Sequence, residues 1–544
     1  VDVDNVSGSE DGTSWATAFT TIQPAIDAAD VKGGGEVWVA QGNYSENRSY
    51  MLPGPAPVAT GSLELKDAVA LYGGFIGIED SLDERDWQQN STVIDGATAL
   101  NGQAAKFVVV AYLNGVNSRL DGFTVSGGNN PSGGGGGLFA RELPLNVVNC
   151  TFENNTVAES GGGVHLIDSD SIIEDCTFRN NHANRTGGGI RSTSGSQATI
   201  VGCTFENNSA DQSGGAIWTS FSDKSTITEC TFRDNESDAA GAIWLGGSQN
   251  VVDRCWFEIN QAIGTDPGQG IGGAMWVGDP GNQVNRPEIR NSVFWKNTAA
   301  VHGGGLFVSG STDPLGNIPP WRTRLTMANC TFYANIAAVS GGGIYLNNAM
   351  RDWRNLIMWN NSPEGYFWEF DQGGTAVNSL LDQTVNPLFV DASDGDFHLL
   401  PGSPAIDTGT DEGAPDVDFE GTARPQGAST DMGAYESMDL DGDGLSDEEE
   451  ADLGTDPNVP DSDGDGYWDG FEVDKGTNPL EETDTPATNI EGDVNADGKV
   501  NIQDIQAIVI AVLQLPVPHP TDITGDARTN IVDVQRAVEL VLAG

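Results

Sequence analysis

Short runs of alternating apolar and polar residues recur along the middle of the chain, each cut off by Asn or Gly. The frame that starts at Cys150, CTFENNTVAESGGGVHL, returns as CTFRNNHANRTGGGIRS, CTFENNSADQSGGAIWT, CTFRDNESDAAGAIWLG and CTFYANIAAVSGGGIYL. In C-T-F-E, alternation sends Cys and Phe to one face and Thr and Glu to the other. That is a strand pattern, and each run is too short for a helix. Aligned on the aromatic, Phe152, Phe178, Phe205, Phe232, Phe257, Phe294 and Phe332 recur at 25 to 27 residues, widening to 37 and 38 around two insertions. Asn155, Asn181, Asn208, Asn235, Asn260, Asn297 and Asn335 follow three residues later. A small-residue cluster comes next in each frame, from Gly161–Gly163 to Gly341–Gly343. A degenerate eighth frame, NLIMWNNS, puts Met358 in the Phe column and Asn361 in the Asn column.

A frame of this length with short strands split by Asn and Gly fits one coil of a parallel β-helix. The expected fold class is mainly β: a right-handed single-stranded parallel β-helix, with acidic loop repeats and a small α-helical domain toward the C-terminus. Stacked coils would bury columns of Cys, Phe and Ile/Val. Asn is expected to take the tight turn while its amide bonds the Asn above and below. The outward residue after each Phe reads Glu153, Arg179, Glu206, Arg233, Glu258. Alternating signs would hold register, because a slipped coil brings like charges together. The Asn and Gly pattern resembles the FxxN and GGA[ILV] repeats of chlamydial polymorphic outer-membrane proteins, which are β-helical surface adhesins. The resemblance covers about residues 150–346 and implies fold rather than activity.

The flanks read as caps. In 13–46, Ile22, Ala25, Ile26 and Ala29 make a helical face before the strand EVWVA, and this opening resembles that of secreted bacterial pectate-lyase-like β-helix proteins. Residues 386–409 and DMGAYE (431–436) resemble the terminal segment of bacterial β-helix proteins that carry anchoring or sorting modules. The expected boundaries are 1–110 (cap and first coils), 111–385 (repeat body), 386–438 (C-terminal cap), 439–480 (acidic loop repeats), 481–490 (linker) and 491–544 (a small C-terminal domain).

Two loops have hard-cation spacing. DLDGDGLSDEEE sets Asp439, Asp441, Asp443, the Leu445 carbonyl, Asp447 and Glu450 at positions 1, 3, 5, 7, 9 and 12. DSDGDGYWDGFE repeats this with Asp461, Asp463, Asp465, the Tyr467 carbonyl, Asp469 and Glu472. Oxygen ligands at this spacing wrap Ca²⁺. With the GTDP and GTNP that follow, the pair resembles thrombospondin type 3 calcium repeats. DVNADGKVNIQD offers Asp493, Asn495, Asp497, the Lys499 carbonyl, Asn501 and Asp504. DITGDARTNIVD offers Asp522, Thr524, Asp526, the Arg528 carbonyl, Asn530 and Asp533. Each precedes an amphipathic helix, and together they resemble a dockerin. That resemblance implies a calcium-dependent docking module whose partner is a cohesin-like domain or a neighbouring copy. Ile502, Gln503, Ile531 and Val532 stand where dockerins often carry a Ser–Thr pair.

Charge narrows the partners. At a formal net charge of −54 the chain repels nucleic acid and anionic membrane. No run is apolar enough to span a bilayer. The chain begins at Val1 rather than Met, as expected of a secreted mature form whose signal has been removed. The six Cys are expected to be stacked thiols rather than disulfides. Five share one column, and Cys330 sits two coils beyond Cys255, roughly 9–10 Å at the strand spacing.

The position after the Gly cluster faces outward and reads His165, Arg191, Trp218, Trp244, Trp276, Phe307 and Tyr345. His165 and Arg191 are the candidate base and carboxylate clamp of a polysaccharide lyase, a reaction that needs both. Asp168 and Asp170 are a weaker glycosidase pair. The aromatics form a stripe suited to an interface or to a polysaccharide or cell-surface glycan, unless the insertions 264–272 and 311–324 cover it. The leading expectation is a structural or adhesive surface protein, with a dockerin-delivered lyase, glycosidase or glycan-binding rod as alternatives.

Overall fold

The structure is a computed structural model. It describes residues 1–485 apart from 54–57, 113–117, 143, 221–223, 248, 279–284, 311–322, 370–372, 382, 401, 440, 442, 446 and 458. The chain divides into two compact units, Val1–Thr384 with Gly413–Gly421, and Val385–Glu412 with Thr422–Gly544.

The first unit is a parallel β-helix. Each coil contributes one strand to each of up to four sheets, and every strand pairs in parallel with its equivalent one coil before and after. Sheet 1 runs from Gly35–Ala40 to Gly374–Val377 and has 12 described strands. Sheet 2 runs from Gly42–Tyr44 to Ile357–Trp359, with 11, and carries the T-F-E runs. Sheet 3 holds the short strands after the Asn column, from Asn129–Asn130 to Ile336–Ala337, most of two residues, with Ser209–Ser213 the longest. Sheet 4 follows the Gly clusters, from Leu63–Glu64 to Tyr366–Glu369. Helix α1 (Ile22–Val31) joins the core through Ile22, Ala25 and Ile26, as the apolar face of that segment predicts, with Ala29 only partly buried.

Register turns the sequence columns into ladders. Phe152 pairs with Phe178, Phe178 with Phe205, and so on to Phe332 with Met358. The rings are fully buried and stack with centroids 4.4–5.1 Å apart at 2–9°. Beside them runs a buried amide ladder. Each Asn Nδ2 donates to the Oδ1 of the next coil at 2.9–3.1 Å, from Asn155 to Asn361. The ladder opens where the Gly128 N–H donates to Asn155 Oδ1, and closes where the Asn361 N–H donates to Gln383 Oε1. The thiols are buried and unbridged, and each backbone N–H from Cys150 and Cys176 donates to the next coil's sulfur at 3.4 Å. On the outer face Arg179 meets Glu153 at 2.6 Å and Arg233 meets Glu258 at 2.8 Å, the sign pattern read from the sequence.

The turn is built differently from the expectation. The left-handed residue is not the ladder Asn but the one before it: Asn154 (φ 55°), Asn180 (54°), Asn207 (53°), Asp234 (53°) and even Ile259 (56°). The ladder Asn must keep its side chain pointing inward to bond along the stack, so its neighbour takes the sharp bend. A β-branched residue there is costly, and the packed coil imposes it. The Gly clusters are needed for contact as well as for φ. A Cβ on Gly162 would lie 2.5 Å from the Gly188 carbonyl oxygen of the next coil.

Residues 413–421 return to this unit as a strap. The Asn291 Nδ2 donates to the Val417 carbonyl at 3.0 Å, and Phe419 lies 6.0 Å from the Trp256 ring. The second unit contains an antiparallel hairpin, Phe389–Asp391 with Asp396–Leu399, and a buried Arg424–Glu436 pair. It also holds helices α2 (Asp447–Leu453) and α3 (Asp469–Lys475).

Candidate functional site

Sheet 4 presents one outward residue per coil, and register aligns them: Phe139, His165, Arg191, Trp218, Trp244, Trp276, Phe307, Tyr345, Phe367. His165 and Arg191 are therefore neighbours on adjacent coils. His165 is only 7% exposed, and neither ring nitrogen has a hydrogen-bond partner. Phe139 meets it edge-on at 5.8 Å, and a Cβ on Gly134 would lie 2.9 Å from its Nδ1. Burial, with the Arg191 charge beside it, pulls its pKa down to about 3. The Arg191 guanidinium lies over the Trp218 ring at 5.0 Å.

The aromatic stripe is only partly open. Trp218 and Trp244 stack at 4.8 Å and 12°, and Phe307 and Tyr345 at 5.2 Å and 7°. Trp244, Phe307 and Tyr345 are buried, while Trp218 and Trp276 are half-buried. Trp276 breaks the stack. Its indole stands at 87° to Trp244 and 84° to Phe307, and its N–H donates to Ser309 Oγ at 2.9 Å. Room for the indoles comes from glycines two residues along the strand. A Cβ on Gly246 would strike the Trp244 ring at 2.4 Å, and one on Gly278 would lie 3.2 Å from Trp276 Nε1. The sequence shows the Trp column, but not that these glycines make space for it.

Where residues 264–271 pass over sheet 4, Ile271 packs on Phe307 and Tyr345. The result is a cavity of about 370 Å³ whose lining includes Asp266, His302, Tyr345 and Glu369. The Tyr345 hydroxyl donates to Glu369 Oε2 at 2.8 Å. Burial, helped by that carboxylate, raises the phenol's pKa. His302 stacks on Tyr345 at 4.2 Å and pairs through Nδ1 with Ser340 Oγ at 2.9 Å. Sequence reading passed over Asp266, His302 and Glu369, because they lie in an insertion, a turn and the last strand of sheet 4, each outside the repeat columns.

The acidic loops of the second unit form three groups with carboxylate oxygens within 4.8 Å of one another: Asp439, Asp441 and Asp443; Asp461, Asp463 and Asp465; and Asp443, Glu450 and Asp469. Backbone amides close each loop. The Gly444 N–H donates to Asp439 at 3.0 Å and the Gly466 N–H to Asp461 at 2.9 Å. Asp469 stands apart from the other aspartates of its own loop and joins Asp443 and Glu450 of the first. It is held there by Ser462, whose N–H and hydroxyl donate to it at 2.9 and 2.6 Å. The Asp447 side chain and every residue of the 493–533 loops and the docking positions, Ile502, Gln503, Ile531 and Val532 included, lie outside the described residues.

A hard cation fits what is present. Buried carboxylate oxygens without a donor include Asp441 Oδ2, Asp463 Oδ2, Asp465 Oδ2 and both oxygens of Glu472, which is 0% exposed. Desolvation first, then neighbouring aspartates, pushes the Asp441 and Glu472 carboxyls up to about 7. Such groups need a proton or a cation, and an all-oxygen set favours Ca²⁺ or Mg²⁺ over softer metals.

The right-handed β-helix region model matches residues 144–317. The bacterial TSP3 repeat matches residues 439–460 and 461–481, which makes the two acidic loops thrombospondin type 3 repeats. No curated protein matches the chain. Among solved structures it resembles pectate lyase Pel9A, with a TM-score of 0.40 and 14% identity over 80% of this chain and 95% of that one. It also resembles the catalytic unit of a GH87 alpha-1,3-glucanase from Streptomyces thermodiastaticus strain HF3-3 (TM-score 0.24, 17% identity, 71% and 70% covered). A third is a mannuronan C-5 epimerase A-module from Azotobacter vinelandii (TM-score 0.21, 13% identity, 70% and 98% covered). These likenesses concern the fold.

Proposed function

We propose that this chain is a structural or adhesive β-helix of a secreted or cell-surface protein, docked through a calcium-dependent C-terminal module. Its partner would be a cohesin-like domain or a neighbouring copy, in the second case giving a head-to-tail filament. The observation that carries this reading is the set of buried carboxylate oxygens without a donor in the acidic repeats. Asp439, Asp441, Asp443, Glu450, Asp461, Asp463, Asp465, Asp469 and Glu472 would hold calcium. The ion supplies charge neutralisation and cross-linking there and no reaction. Asp469, reaching from the second loop to Asp443 and Glu450 of the first, ties the two repeats into one folding unit. The order of the segment between the β-helix and residues 491–544 then follows calcium, and the docking function with it. Electron microscopy of the protein in calcium and after chelation tests this. Calcium-dependent filaments support self-docking, whereas dispersed particles in both conditions remove it.

A second reading, glycan binding by the aromatic stripe, is favoured by Trp276, whose ring is turned out of the stack. It predicts that Trp218→Ala with Trp244→Ala, or Trp276→Ala alone, abolishes retention on a polysaccharide the wild type binds. Lyase chemistry by His165 and Arg191 is disfavoured, because a buried base cannot reach a substrate proton.

A further inference from the structure

The cavity under residues 264–271 has a composition that neither reading uses. Its apolar part is supplied by Ile271, Val301, Phe307 and Tyr345, and its rim by the amides of Gln269 and Asn347 and the carboxylates of Asp266 and Glu369. No Lys or Arg lines it among the described residues. At about 370 Å³ it falls in the range of small-ligand sites, about 300–1,000 Å³.

The walls are held in place. The Gly270 N–H donates to the Asp238 carbonyl at 2.7 Å, and its own carbonyl accepts from the Val301 N–H at 2.7 Å. Gln269 Nε2 donates to Asp238 Oδ2 at 3.0 Å, fixing the loop that carries Asp266. Across the cavity, the Tyr345 hydroxyl fixes one oxygen of Glu369 and leaves the other for a ligand. Tyr345 sits in register between Phe307 and Phe367 and stacks with both, at 5.2 and 5.4 Å, so its faces are already engaged. A sugar cannot lie flat on it. Burial lowers the His302 pKa, against the Glu369 carboxylate, which raises it. The cavity therefore selects by charge and hydrogen bonding: two anions facing an apolar wall, with amide partners for hydroxyls.

We propose that this cavity binds a protonated primary amine on a hydroxylated ring, as in a hexosamine unit of a polysaccharide, with Glu369 and Asp266 as its counter-ions. An acidic sugar would meet two like charges and no cation. An N-acetylated one would lose the charge that the site is built to pair. The proposal rests on neither the calcium reading nor Trp276.

A protein of net charge −54 attracts any polycation, so the test must separate the site from the field. Calorimetric titration with glucosamine oligosaccharides, at pH 6 and about 0.15 M salt where the screening length is about 8 Å, is compared with N-acetylglucosamine oligosaccharides and oligogalacturonate. Saturable binding of the amine oligomer alone is expected. The double variant Glu369→Gln with Asp266→Asn changes the net charge only to −52 (two carboxylates removed from −54). The amide oxygen that Glu369→Gln introduces would still accept from the Tyr345 hydroxyl, so the melting temperature should not move, while affinity falls by at least about tenfold, the equivalent of about 1.4 kcal/mol. Equal affinity for the acetylated oligomer, an unchanged affinity in the double variant, or no saturable binding would each overturn the proposal.

Discussion

Removing one rung of the amide ladder gives the sharpest test of how the β-helix is held. Asn208 is fully buried and makes four hydrogen bonds through its side chain. It accepts from the Asn181 N–H and Nδ2 at 3.2 and 3.0 Å, and donates to the Phe178 carbonyl and Asn235 Oδ1 at 2.8 and 3.1 Å. Asn208→Ala deletes all four. At about 0.5–1.5 kcal/mol net for each bond, the cost is about 2–6 kcal/mol, and a stranded Asn181 N–H puts it toward the upper end. Because each coil contacts only its neighbours, the damage should be local. Native-state hydrogen exchange should lose protection at Asn181 and in the coils on either side, with the N-terminal cap unaffected. Glu206→Ala, two residues away on the outward face, is the control and should change stability by less than about 0.5 kcal/mol. If Asn208→Ala costs no more than the control and Asn181 stays protected, the ladder is a passenger, and the Phe stack alone holds the coils together.

Three further outcomes are expected. Chelation should open residues 439–480 to protease while the far-ultraviolet circular dichroism of the β-helix persists; calcium at a hundred times its Kd would restore about 2.7 kcal/mol. Acid should weaken the β-helix through His165. Its folded pKa of about 3 lies below the ordinary value of 6.5, so the unfolded chain binds the proton first. Stability is then complete above pH 6.5 and falls by about 1.4 kcal/mol per pH unit toward pH 3, a slope that His165→Phe should remove in pH-dependent unfolding. Finally, the six thiols should resist a thiol reagent in the native protein and all react once it is denatured, because every one is buried and unbridged.

The coil was legible because its period writes the same contact many times. Phe, Cys and Asn columns at a constant spacing leave one stacking that buries all three. The Glu/Arg alternation was legible for the same reason. What the sequence hid is contact between different frames. Asp469 sits at a ligand position of its own loop, yet Ser462 holds it with Asp443 and Glu450 of the loop before. Ile259 occupies a left-handed turn that its side chain disfavours, because the coil decides the bend. The cavity walls come from an insertion, a turn and the last strand of sheet 4, which only the closed coils bring together.

The amide ladder also has a direction. Every Nδ2 donates toward the following coil, so each coil offers the next the same donor it received from the one before. The two ends differ, a glycine N–H at one and Gln383 at the other, but the interior rungs are interchangeable. Such a stack is a modular ruler. Whole coils can be gained or lost by unequal copying of the gene without disturbing either end, each changing the reach by about 4.8 Å. Length, rather than shape, is the property this architecture leaves free for evolution to set.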